Sequence, residues 1–119
     1  MSSVKIIFYD LSNGTEPAKD FILSLDTKMR AKMVRMVKLL EENGGNLRMP
    51  YSEHLDDGIF ELRACVGNDI SRVLYFFFIG GCAVLTNGFI KKTQKTPEQQ
   101  LELAKKYRAE YIGRKGNAQ

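Results

Sequence analysis

From Phe60 to Lys92 the chain reads FELRACVGNDISRVLYFFFIGGCAVLTNGFIKK, and its apolar and polar positions form three strand-length runs. Gly67-Asn68 and Gly80-Gly81 separate them, each suited to a two-residue turn with positive φ. Upstream, Val4 to Tyr9 is rich in β-branched and aromatic residues and reads as a first strand, ended by Ser12-Asn13-Gly14. A helix begins near Thr15 to Pro17, with Pro in the first turn and Phe21, Ile22 and Leu25 as its apolar stripe. Asp26-Thr27 caps a second helix, in which Met29, Met33, Met36, Val37 and Leu40 recur at helical spacing. Lys28, Arg30, Lys32, Arg35 and Lys38 fill its solvated face, and Asn43-Gly44-Gly45 ends it. Asn46 to Asp57 reads as a long loop, closed by the Asp57-Gly58 turn. Thr96-Pro97-Glu98 opens a third helix as cap, proline and early acid, continued by Leu101, Ala104, Tyr107 and Tyr111; Gly113 to Gln119 reads as a frayed tail. The order is β-α-α-β-β-β-α: an α+β domain with an antiparallel meander covered on one face by an α-hairpin.

Counting outward from the two turns pairs the strands. Val66 faces Asp69 and Ile79 faces Cys82; Arg63 then faces Arg72, which faces Phe89, and Glu61 faces Leu74, which faces Asn87. One face collects Arg63, Arg72, Phe89 and Lys91, with Lys92 and Lys95 at its rim. The other collects Phe60, Leu62, Ala64, Val73, Tyr75, Phe77, Ile79, Ile90, Thr86, Val84 and Cys82 as a layer for the helices. The basic face is expected to be open, because burying unpaired arginines costs several kcal/mol or more. Like charges side by side weaken a sheet. Arginines that can hold a phosphate, beside a ring that can stack a base, are the chemistry of a single-strand RNA surface. Glu61 on the same face offers the plainer reading, in which it neutralises Arg63.

Composition narrows the class. The 119 residues suit one domain, and 18 Lys plus Arg against 14 Asp plus Glu give a net charge of +4, which favours polyanionic or acidic partners. No apolar run reaches the roughly 20 residues of a membrane span, and MSSVKIIFYD lacks the features of a signal peptide, so a cytoplasmic setting is expected. Cys65 and Cys82 have no metal-ligand spacing and are placed on opposite faces of non-adjacent strands, so no bridge is expected. No carboxylate set has metal-ligand spacing, and neither a metal nor a cofactor is expected. The methionines read as core.

The runs Gly58-Ile59-Phe60-Glu61-Leu62-Arg63, Ser71-Arg72-Val73-Leu74-Tyr75-Phe76 and Asn87 to Pro97, with Glu16-Pro17 through Leu25, resemble the RelE/ParE superfamily of bacterial toxins, in its HigB and phage-derived HigB-like branch. The resemblance covers nearly the whole chain and is most specific from Phe89 to Pro97. It implies a RelE-like fold, a toxin of a type II toxin–antitoxin pair, cleavage of mRNA on the ribosome, and neutralisation by a helix-turn-helix antitoxin. By position it places Arg63 and Arg72 as phosphate-holding arginines and Lys91 and Lys92 at the basic end of the last strand. Tyr107 and Tyr111 lie where relatives carry a C-terminal tyrosine, and His54 near where some carry a histidine. In such a mechanism the 2′-hydroxyl attacks the adjacent phosphate. Arg63 and Arg72 would stabilise the phosphorane, Phe89 would stack a base, and Lys91 or His54 would move a proton. Other readings are a ParE-like gyrase poison on the same fold, a non-catalytic nucleic-acid-binding module, and a degenerate phage protein that only binds its antitoxin.

Overall fold

The computed structural model describes residues 3–91 and 96–116. Its elements are β1 (Lys5–Phe8), α1 (Pro17–Ser24), α2 (Thr27–Asn43), a single 3-10 turn (Gly44–Asn46), β2 (Ser52–Asp56), β3 (Ile59–Val66), β4 (Asp69–Phe78), β5 (Cys82–Lys91) and α3 (Glu98–Gly116). One mixed sheet runs in the order β1-β5-β4-β3-β2, with β1 parallel to β5 and the other pairs antiparallel. The α+β class holds, with one strand more than expected. Ser52 to Asp56 pairs with β3 as an edge strand and places His54 opposite Phe60, so the segment expected to be a loop is half strand. Its sequence, SEHLD, carries charges and no β-branched residue, which hid it. The expected frayed tail also differs, because α3 continues to Gly116.

The α-hairpin forms as its pattern dictates. Asp26 accepts a hydrogen bond from the Met29 amide at 3.0 Å, capping α2. Met29, Met33, Met36 and Leu40 are buried against Ile22, Leu62, Ala64, Val73 and Tyr75. Gly88 makes this packing possible. A Cβ built there would lie 2.3 Å from Cδ2 of Phe21, so only glycine lets the α1 ring settle on β5.

The second face of the sheet is not open. α3 lies across it, and Tyr9, Ile59, Leu74, Phe76, Val84, Phe89, Ala104 and Tyr111 form a second buried layer. A bulge explains half of this. The expected register holds from Leu74↔Asn87 outward through Arg72↔Phe89, but beyond it Tyr75 pairs with Leu85, Phe76 with Val84 and Phe78 with Cys82. Thr86 is the extra residue, and the loop is Ile79-Gly80-Gly81 rather than two glycines. The one-residue shift turns Ala83 and Leu85 toward the α-hairpin and Val84 toward α3, the reverse of the alternation read from the sequence. Ile79 is displaced to the loop tip, 87% exposed, and Ile90 is 57% exposed, so neither joins the layer expected of it. By this register Cys82 shares the face of Cys65. The two thiols are nevertheless free, at opposite ends of non-adjacent strands.

Among the described residues, no helix is long and apolar enough to cross a membrane.

Candidate functional site

Arg63 on β3 and Arg72 on β4 are direct cross-strand partners, and Glu61 resolves their repulsion. Its carboxylate is fully buried; Oε1 accepts from Arg63 Nε at 2.9 Å and from Arg72 Nη1 at 2.5 Å. Oε2 accepts from the Thr96 hydroxyl at 2.5 Å. Thr96 therefore ties the entry of α3 to the ion network rather than capping the helix, whose first backbone bonds run to the Pro97 carbonyl. On the outer side, Arg63 Nη2 pairs with Glu53 of β2. The four side chains are formally neutral, with two arginines against two glutamates.

Burial grades the cluster. The Arg72 side chain is 4% exposed and that of Arg63 18%, while Glu53 on the edge strand is 41% exposed. Among the described residues Arg72 Nε is buried without a hydrogen-bond partner, which leaves one donor of the inner guanidinium unspent there. Breaking a buried pair costs about 3–5 kcal/mol, whereas an exposed one contributes about 0–1 kcal/mol. Glu61 therefore fixes the arginines, and Glu53 is the partner that can be displaced.

α3 is clamped over this region. Asn87 Nδ2 donates to Gln100 at both the backbone carbonyl, 3.2 Å, and Oε1, 3.0 Å. Lys105 Nζ donates to Asp56 Oδ2 at 2.8 Å, and Arg108 holds the Asp57 carboxylate and carbonyl. The Lys105 ammonium draws the Asp56 carboxyl below the usual carboxylate range and is itself held above the usual lysine value.

The residues expected to form one site separate into groups. Arg63 and Arg72 stand together. Phe89 lies beside Arg72 in register but is 8% exposed, packed under α3, and presents no open ring. The expectation of a solvent-open face thus fails, because a buried counter-charge makes burial of the arginines affordable. Lys91 ends β5 opposite Ile70 at the same end of the sheet. Lys92 and Lys95 lie outside the described residues. His54 is on the other face, edge-on to Phe60 at 5.0 Å with Nε2 accepting the Gly58 amide at 3.1 Å, and is not brought to the arginines. Tyr107 stacks on Tyr9 at 4.6 Å and Tyr111 packs against Phe76 and Phe78, both within the apolar layer. Tyr9 donates to Glu110 at 2.8 Å; burial first, then that carboxylate, pushes its hydroxyl up to about 12. Sequence reasoning missed Glu53, because β2 went unrecognised, and Thr96, whose helix-cap signal concealed its tertiary bond. Among the described residues no three His, Cys, Asp or Glu side chains gather as a metal-ligand set.

No curated protein matches the chain. Residues 20–109 match the family described as Phage derived protein Gp49-like (DUF891). That family is associated with RelE/HigB-like toxins, and the match suggests a toxin of the toxin–antitoxin kind. It runs from the middle of α1 into α3, and with it covers the whole arginine–glutamate cluster: the chain belongs to the Gp49-like family of phage-derived proteins.

Proposed function

We propose that the chain is the toxin of a toxin–antitoxin pair, in the HigB-like branch with a RelE-like fold, and that it acts as an mRNA endoribonuclease on the ribosome, restrained by a helix-turn-helix antitoxin. The observation that carries the reading is the arginine pair on adjacent strands, oriented by one buried glutamate and closed on its outer side by an exposed one, with a long contact from Arg63 to the Met49 sulfur beside it.

In this reading a substrate phosphate takes the place of Glu53 on Arg63. The exchange is favourable because an exposed ion pair is worth little, whereas a guanidinium can grip a phosphate with two parallel hydrogen bonds. Glu53 is then released beside the phosphate, where its carboxylate can take the proton of the attacking 2′-hydroxyl. The 2′-oxygen bonds to phosphorus, the 5′-oxygen leaves, and Lys91, at the basic end of β5, is the proposed donor to the leaving oxygen. Arg63 stabilises the charged phosphorane, and Arg72 acts from beneath it by sharing Glu61, which would otherwise cancel Arg63. His54 has no part in this arrangement.

The experiment is induced expression followed by mapping of transcript ends. The wild-type chain should cut mRNA in phase with codons. Arg63→Ala should abolish the cuts while the protein remains folded, and Glu53→Gln should slow them on the order of 10²-fold. Growth arrest with intact transcripts and damaged DNA would establish the gyrase-poison reading instead.

A further inference from the structure

A second basic surface lies on the other side of the molecule. Between the cap of α2 and Glu41 the helix carries Lys28, Arg30, Lys32, Arg35 and Lys38, with no acidic residue among them. Lys28, Lys32 and Arg35 are spaced i, i+4, i+7 and share a face, about 6 Å and then about 4.5 Å apart along the axis. All three are exposed, and among the described residues none forms an ion pair. With Ala31 and the Cys65-Val66 end of β3 they wall a groove of about 320 Å³. The acid nearest in register is Asp69, opposite Val66, so cations dominate the rim.

Helix stability does not account for this pattern. Like charges at i, i+3 and i, i+4 repel, and Lys28 sits in a first turn that holds no acid, against the helix dipole. An anion bound between these cations would relieve that repulsion. We propose that the groove binds the phosphodiester backbone of RNA, with Lys28, Lys32 and Arg35 taking successive phosphates. An acidic protein fits less well, because protein interfaces are anchored by large apolar or aromatic side chains with charge depleted at the centre, whereas the rest of this lining is small. Phosphate contact needs only well-spaced cations.

The choice of RNA rests on the function proposed above, and the position agrees with it. Cys65 pairs with Ile70, which pairs with Lys91, so the groove opens at the sheet end where β5 finishes, two strand spacings or about 10 Å from the Lys91 backbone. Arg63 lies two residues, about 7 Å, up the same strand from Cys65. An RNA strand held in the groove passes the end of the proposed reactive face, and the groove reads no bases.

The test is binding of a fluorescently labelled single-stranded RNA, followed by anisotropy at several salt concentrations. Replacing Lys28, Lys32 and Arg35 together by Gln should weaken binding at least about tenfold and reduce the slope of log K against log salt by roughly 2. A control with equal charge loss, Lys5→Gln, Lys19→Gln and Lys106→Gln, alters exposed cations outside the groove and should change binding little. Equal losses in the two triple variants, or no loss in the first, overturn the proposal. So does retention of RNA binding with loss of binding to a polyglutamate peptide, which would assign the groove to an acidic protein. Arg63→Ala separates this inference from the nuclease reading. It should lose cleavage, while its binding weakens by no more than the one phosphate contact it gives up and its salt slope falls by less than about 1; a wild-type chain that binds through the groove without cutting refutes the nuclease and leaves the groove standing.

Discussion

The buried Glu61 carboxylate decides how this sheet can carry two adjacent arginines. Without it, Arg63 and Arg72 would face each other across β3 and β4 with no inner counter-charge. Glu61→Gln should therefore cost about 3–5 kcal/mol and lower Tm by at least about 10 °C in a thermal melt. Arg72→Ala should destabilise by a similar amount, since it removes the more buried of the two arginines that share Glu61; Arg63→Ala also takes one of these pairs but at a more exposed position, so it should cost less and is the cleaner probe of activity once a melt shows it folded. A neutral cost has a different origin at Gly88. Gly88→Ala places a methyl group against the Phe21 ring and should destabilise by about 1–3 kcal/mol, and Phe21→Ala in the same chain should recover part of that. Additive losses in a denaturant double-mutant cycle would contradict the contact.

α3 turns the polar face into a closed one, and its fastenings are electrostatic as well as apolar. Asn87→Ala removes both bonds to Gln100 and should speed amide exchange in the first turns of α3. The Asp56–Lys105 contact predicts a pH dependence. Asp56 titrates below its usual range, so its contribution is present at and above ordinary carboxylate values and is lost as pH falls through the lowered value. Lys105 is raised, so its contribution is present below the ordinary lysine value and is lost as pH rises through the raised one. Exchange in α3 should quicken at both extremes, and Lys105→Met should flatten the response. Much of this architecture was legible in the sequence. The Gly67-Asn68 turn and the alternation of β3 and β4 set Arg63 against Arg72 and Phe89. What was not legible has local causes. A bulge at Thr86 and a three-residue loop offset each other, so the count agreed outward from Leu74 and failed toward Cys82. The stripe Leu101, Ala104, Tyr107 and Tyr111 marks a helix without saying which face of the sheet it covers.

For the whole molecule, the +4 charge is divided unevenly. The arginine–glutamate cluster is internally balanced, whereas α2 holds cations beside the end of β3 that form no ion pair among the described residues. Membership of the Gp49-like family suits a toxin, and this division of charge suits the proposal that it grips RNA with one surface and cuts it at another. The antitoxin in the proposed pair would suppress the growth defect when co-expressed, and its gene is sought in the neighbouring reading frame. The central claim is that Arg63 meets the scissile phosphate, and transcript-end mapping after brief induction of wild-type and Arg63→Ala chains at matched folded levels tests it most directly. The account predicts codon-phased new 5′ ends with the wild type and none with Arg63→Ala. The same ends from both chains, or none from a wild-type chain that still arrests growth, would contradict it.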